Sequence, residues 1–202
     1  MKVAVIGGTG RAGSRIVEEL ARRGHQVTAI ARKAETASKL PGVTAKAVDV
    51  HDAKAMTEAL RGHDVVVSAL RFLDATPAEV IGLVKASGVP RYLVVGGASS
   101  LLAGGQRVFD SPSFPEAYKP EAEAGITFLE ALKAEPELDW TFLSPSAVFD
   151  GTERTGTFRL GSDDLLVGAD GQSRISFPDF AIAMADEIEN PRHRRKRFTV
   201  GY

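Results

Sequence analysis

The sequence predicts an α/β domain in which a parallel sheet is covered by helices on both faces. Two observations carry this reading. Short β-rich apolar runs alternate with longer stretches of helical period from Val3 to Leu143. A glycine-rich turn, Gly7 to Gly13, joins the first run to the first helical stretch, as in doubly wound folds. The chain has 202 residues, is 44% hydrophobic and contains no cysteine. That length can bury a full core without disulfides or metals, and 1–202 reads as one domain.

Taken in order, Val3-Ala4-Val5-Ile6 is the first strand, Ser14 to Arg23 an amphipathic helix, and Gln26 to Ala31 the second strand. Val43 to Val48 is a third strand, followed by a helix over Ala53 to Leu60 with Asp52 as its N-cap. A strand over Asp64 to Ala69, a helix over Pro77 to Ala86 and a strand over Tyr92 to Val95 continue the alternation. A helix over Glu121 to Lys133 and a strand over Asp139 to Leu143 extend it. From Pro145 the pattern loosens, with one helix over Asp179 to Glu189 and a last strand over Arg197 to Val200. Residues 145–202 are therefore expected to form a small cap on the carboxyl edge of the sheet, where ligands of such folds bind.

Composition narrows the chemistry. Without cysteine there is no thiol nucleophile, no CxxC redox pair and no Cys-based metal site, so any redox chemistry must use a borrowed cofactor. The formal net charge of -1 supplies no field favouring nucleic acid or an anionic membrane, which leaves a small molecule as the expected partner. No apolar run approaches the ~18 residues of a membrane span, and a strand starting at Lys2 leaves no room for a leader. A cytoplasmic protein is expected. His25, His51, His63 and His193 lack metal-site spacing, so no metal is expected and they read as surface or loop residues. The basic run Arg192 to Arg197 reads as a solvated connection.

The turn itself carries the most specific signal. Gly7, Gly10 and Gly13 fit G-x-x-G-x-x-G, and Gly8, Gly10 and Gly13 fit G-x-G-x-x-G. Missing side chains let backbone approach a pyrophosphate, and the helix N-terminus that follows presents unpaired N–H groups to it. Gly7, Thr9, Gly10, Arg11, Ala12 and Gly13 are thus candidate cofactor residues. The second strand ends in Ala31-Arg32-Lys33, where an acidic partner for a ribose 2′-hydroxyl would otherwise stand. Arg32 can grip a 2′-phosphate, with Arg11 reaching it from the loop, so NADP(H) is expected over NAD(H). Asp49 and Val50 would meet the adenine edge, although Asp49 is equally suited to cap its loop. Ala69, Leu70 and Arg71 would line the adenosine and ribose.

These residues resemble the atypical short-chain dehydrogenase/reductases of the NmrA-like and flavin-reductase-like kind. The resemblance rests on Gly7 to Gly13, Val94-Val95-Gly96-Gly97-Ala98, Asp139-Trp140-Thr141-Phe142-Leu143-Ser144-Pro145, Arg154-Thr155-Gly156, Ile175-Ser176 with Asp179-Phe180-Ala181, and Arg197-Phe198-Thr199-Val200. It implies a Rossmann fold and a nicotinamide carboxamide held by the backbone of Pro145, Ser146, Ala147 and Val148. The chain departs from classical members, which carry Tyr-x-x-x-Lys to shuttle a proton. Tyr92 and Tyr118 are followed four residues on by Gly96 and Ala122, and Tyr202 ends the chain. Tyr118, Ser99 and Ser100 remain as candidate proton donors, equally readable as a packed or capping aromatic and two loop hydrogen bonders. Phe109, Phe114 and Tyr118 occupy a polar, proline-broken loop that could serve as a lid over the nicotinamide or as plain surface.

The reading that follows is a reductase passing hydride from NADPH to a flavin, a quinone or a similar conjugated acceptor. Such an acceptor spreads the arriving charge over its rings and can take its proton from water. The alternative is an NADP(H)-binding redox sensor without catalysis.

Overall fold

The computed structural model describes residues 1–37 and 39–202. The chain runs β1 (Lys2–Ile6), α1 (Arg11–Arg22), β2 (Gln26–Ala31), β3 (Val43–Ala47), α2 (Ala53–Leu60), β4 (Val65–Ser68), α3 (Pro77–Ser87) and β5 (Arg91–Val95). A small hairpin of β6 (Leu102–Ala103) and β7 (Gln106–Arg107) precedes α4 (Lys119–Ala134) and β8 (Asp139–Pro145). There follow β9 (Val148–Phe149), β10 (Arg159–Gly161), β11 (Arg174–Ile175), α5 (Phe177–Glu189) and β12 (Lys196–Gly201).

The main sheet has eight strands in the order β10-β12-β8-β5-β4-β1-β2-β3. All its ladders are parallel except β10 against β12. Side-chain alternation divides each central strand between two cores. Val3 and Val5 join Ile16, Val17 and Leu20 of α1 and Phe180, Met184 and Ile188 of α5 on one face. Ala4 and Ile6 join Met56 of α2, Val80 and Val84 of α3 and Phe128 and Leu129 of α4 on the other. Each such fully buried aliphatic or aromatic side chain stabilises by about 1.5–3 kcal/mol, and burial on both faces explains the unbroken valine runs.

From β1 the chain winds outward to β2 and β3, then crosses to β4 on the other side of β1. The strand order reverses there, opening a crevice beyond the carboxyl ends of β1 and β4. Helix starts show which N-termini are already satisfied. Asp52, Thr76 and Ser176 cap α2, α3 and α5, each side chain accepting from an amide inside its helix. The N-terminus of α1, beside the crevice, begins at Gly10 with no side-chain cap and no acidic residue in its first turn.

The segment expected as a cap divides. Helix α5 packs on α1, and β12 extends the main sheet beside β8. Only the excursion between β8 and α5, where β9 pairs with β11, lies outside the main layers apart from β10. The reason is burial: Phe180, Ala181, Met184 and Ala185 have no exposed surface, as befits a helix laid on a sheet rather than on a lobe. No helix among the described residues is long and apolar enough to cross a membrane.

Candidate functional site

Two cavities open along the carboxyl edge of the sheet. The first, of about 940 Å³, is bounded by the β1–α1 turn, the ends of β2 and β3, and the loop after β4. Its walls include Gly7, Thr9 and Gly10, then Arg32 and Lys33, then Asp49 and Val50, and finally Ala69, Leu70 and Arg71. Ten of the residues singled out in the sequence therefore meet in one space, although they come from four separate turns.

The turn is built by close approach. Gly7 has φ +76°, and a Cβ there would lie 2.7 Å from the Ala69 carbonyl oxygen. A Cβ on Gly13 would lie 2.1 Å from the Gly7 carbonyl oxygen, so any side chain would push α1 away from the turn. These contacts seat the uncapped N-terminus of α1 against the crevice, where its first-turn amides and dipole favour an anion. The donors this cradle offers are the first-turn amides of Arg11, Ala12 and Gly13, which no side chain caps.

Arg32 and Lys33 are exposed, and no ion pair among the described residues engages either one or Glu35. The cations at the end of β2 are thus available to a ligand. Arg11 is placed differently from expectation. Its guanidinium lies 5.6 Å from the ring centroid of Phe177, toward the start of α5, and it is absent from the walls shared with Arg32. Attraction to the face of the aromatic ring accounts for that orientation. Asp49 lines the cavity, and its carboxylate accepts from the amide of His51 at 3.0 Å, the loop-capping arrangement.

His51, read from sequence as a bystander, also lines this cavity. Its Nδ1 lies 2.7 Å from Glu79 Oε1, and that hydrogen bond raises the imidazole pKa above its ordinary value. His25, by contrast, is buried and bonds Glu189 at 2.9 Å, while the His193 ring stacks on Phe198 at 4.0 Å. His25 is thus a loop residue, in the connection between α1 and β2, but a buried one, because the Glu189 carboxylate satisfies its ring there. No group of acidic and histidine side chains suited to a metal occurs among the described residues.

The second cavity, of about 600 Å³, adjoins the first through the loop after β4, where Leu73 faces the first and Phe72 the second. Its walls join Phe72, Phe114, Tyr118 and Phe149 to Ser99 and to Pro145, Ser146 and Ala147. Behind the Phe72 wall the buried Phe142 ring stacks on it, the two rings 6.0 Å apart and 17° from parallel. Two glycines make room for it. A Cβ on Gly96 would lie 2.3 Å from the Phe142 ring, and one on Gly125 would lie 2.9 Å from the Phe72 ring. Gly96 of the Gly96-Gly97 motif is thereby explained, whereas a Cβ on Gly97 would meet nothing closer than 3.9 Å. Phe72 and Phe149 give no sequence signal because they are single aromatics in loops or short strands.

Of the segment expected to hold a carboxamide, Val148 does not line this cavity. It alternates with Phe149 on β9 and is exposed. The Ala147 and Val148 amides already donate to the Ser173 hydroxyl and carbonyl oxygens, at 3.1 and 2.9 Å, so neither is open to a ligand. Ser146 is buried, its hydroxyl donating to Val200 O at 3.0 Å. Tyr118 and Ser99 are brought together, yet neither is set up as an acid. Tyr118 is 66% exposed, Lys119 pairs with Glu116 at 2.6 Å, and the Ser99 hydroxyl donates to the Ala122 carbonyl oxygen. Residues 99–118 fold over the cavity as the β6–β7 hairpin and two short turns, with Phe109 packed on Phe114 at 5.3 Å.

The excursion beyond β8 is fastened by a network that joins two of the sequence motifs to Tyr202 and to α1. Buried Asp179 accepts from the amides of Thr155 and Gly156, at 3.2 and 2.9 Å, and from the Tyr202 hydroxyl at 2.8 Å. Burial opposes its ionisation, but these bonds and one from the Thr155 hydroxyl outweigh that and hold its pKa below the ordinary carboxylate range. Arg154 pairs with buried Glu19 of α1 at 3.0 Å. The basic run is likewise tied down locally, Arg194 to Asp139 and Arg197 to Asp163.

Comparison with known proteins agrees with this architecture. A family described as NAD(P)H-binding matches residues 7–191. The uncharacterized protein YwnB of Bacillus subtilis is 39% identical over 99% of this chain and 98% of its own. A structure provisionally named an epimerase, from Bacteroides thetaiotaomicron, is 41% identical with a TM-score of 0.93, covering 100% of this chain and 96% of that one. Another, provisionally named an NADH-flavin reductase, from Streptococcus pneumoniae, is 35% identical with a TM-score of 0.87, covering 100% and 99%. With its glycine turn, its strand order and the match across most of its length, the chain belongs to the NAD(P)H-binding family of Rossmann folds.

Proposed function

We propose that the protein is an NADPH-dependent reductase that passes hydride to a flat, conjugated acceptor such as a quinone or flavin. The observation that carries this reading is the junction of two unlike cavities along one sheet edge. One has unpaired cations and an uncapped helix N-terminus, and the other has aromatic walls. The adenosine end of the cofactor belongs in the first, with Arg32 and Lys33 on the 2′-phosphate, and the nicotinamide belongs near Pro145 to Ala147.

Bound NADPH supplies a hydride, so that a quinone gains two electrons and one proton from it and a second proton from water, leaving hydroquinone and NADP⁺. The chain's own contribution is to orient two flat rings and exclude bulk water, which suits a site without a Tyr-x-x-x-Lys pair. The name of the Streptococcus pneumoniae relative supports the same class of acceptor. Loss of the 340 nm absorbance of NADPH against quinones, flavins and small carbonyls tests the reading. Turnover with the conjugated acceptors supports it. Binding of NADPH without acceptor-dependent oxidation would replace it with the sensor reading.

A further inference from the structure

The second cavity has an uneven chemistry that narrows its ligand. Phe72, Phe114, Tyr118 and Phe149 give it flat apolar walls, and its other lining side chains are almost all small or uncharged. No lysine, arginine or histidine lines it among the described residues. The nearby cations are engaged elsewhere: Arg107 with Asp110, Lys119 with Glu116, and Arg197 with Asp163. Among the described residues its one carboxylate is Glu121, which accepts from the amides of Phe72 and Leu73 at 2.8 and 3.4 Å. Arg71 approaches that carboxylate at 3.6 Å from the exposed side.

Resting on the proposed reductase reading, we propose that this cavity selects an uncharged planar aromatic acceptor and excludes one bearing an anionic group on its ring. An anion leaving water for this space would lose its hydration and find no cation on the cavity's own walls, Arg71 lying beyond Glu121 and paired with it. It would also meet the field of Glu121 across a medium less screening than water. A neutral bicyclic or tricyclic ring suffers neither penalty, and 600 Å³ lies within the usual size of small-molecule sites. The two halves of the site would then divide their labour by charge, the first cavity receiving phosphates and the second refusing them.

The test compares menadione with 1,4-naphthoquinone-2-sulfonate, which share a ring system and differ in ring charge. Both are titrated calorimetrically into protein saturated with tetrahydro-NADP, a reduced analogue that keeps the nicotinamide ring neutral and cannot give hydride. Menadione is expected to bind at least tenfold more tightly. Ser113→Lys, at an exposed position on the cavity rim, is expected to narrow that gap at least threefold by improving binding of the sulfonate. Equal or tighter binding of the sulfonate, binding of neither quinone, or an unchanged gap in Ser113→Lys would overturn the proposal. Binding and turnover separate the two readings. If menadione is preferred but does not oxidise NADPH, the reductase reading fails while the charge selection stands.

Discussion

Replacing Arg32 with alanine should abolish most of the preference for NADPH over NADH. In the structure Arg32 is exposed and lines the first cavity beside Lys33 and His51, with no ion-pair partner among the described residues. Its removal thus breaks nothing in the protein itself, and the change in affinity isolates the ligand contact. A charge-assisted hydrogen bond to phosphate contributes roughly 1.5–3 kcal/mol, equivalent to about ten- to a hundredfold in Kd. Exposure of the guanidinium places the expected value at the lower end. NADH lacks the 2′-phosphate, so its Kd should move by less than about twofold, an amount worth under ~0.5 kcal/mol. Calorimetric titration of both cofactors into both proteins reads the effect directly. The reasoning is refuted if wild type binds NADPH and NADH equally, or if the ratio of their dissociation constants survives the substitution.

Further outcomes follow from the same geometry. Gly13→Ala should reduce dinucleotide affinity at least tenfold in protein that remains folded by circular dichroism, because its Cβ would sit 2.1 Å from the Gly7 carbonyl oxygen. Undiminished binding would show that the turn is not the phosphate cradle, and exposed Glu58→Ala serves as the neutral comparison. Tyr118→Phe should lower kcat with menadione by less than about tenfold, under ~1.4 kcal/mol of barrier. A thousandfold fall would make Tyr118 a catalytic acid, since general acids contribute about 10²–10⁴. Asp179→Asn should destabilise the fold by about 2–4 kcal/mol, through loss of several charge-assisted hydrogen bonds at a buried carboxylate. Because the folded pKa of Asp179 is depressed, its contribution is present above the unfolded value of about 3.9 and is lost as pH falls through the folded value. Chemical denaturation of wild type and variant should therefore converge below about pH 4, and a constant gap down to pH 2 would contradict the assignment.

What the sequence revealed divides along physical lines. Strands β1, β4 and β5 are legible because continuous valine-rich runs between turn signals leave few alternatives for a strand buried on both faces. Asp52 as the cap of α2 and Gly7 to Gly13 as a tight turn are equally local signals, and both stand in the structure. The two-residue strands β6, β7, β9 and β11 are too short to show a period. Long-range partners decide the rest. Nothing near Arg11 in the chain indicates Phe177, and nothing near His51 indicates the cavity it lines. The extent of the cap was illegible for the same reason, since the period of α5 shows an apolar face without showing that α1 and the sheet cover it.

Hydride transfer from NADPH inside this site should show as an isotope effect on a single turnover. Protein in excess over NADPH deuterated at both C4 positions is mixed anaerobically with menadione, and the 340 nm decay is compared with that of unlabelled NADPH. The account predicts a decay much faster than in buffer alone and slower with the deuterated cofactor. A decay no faster than the protein-free reaction would contradict it.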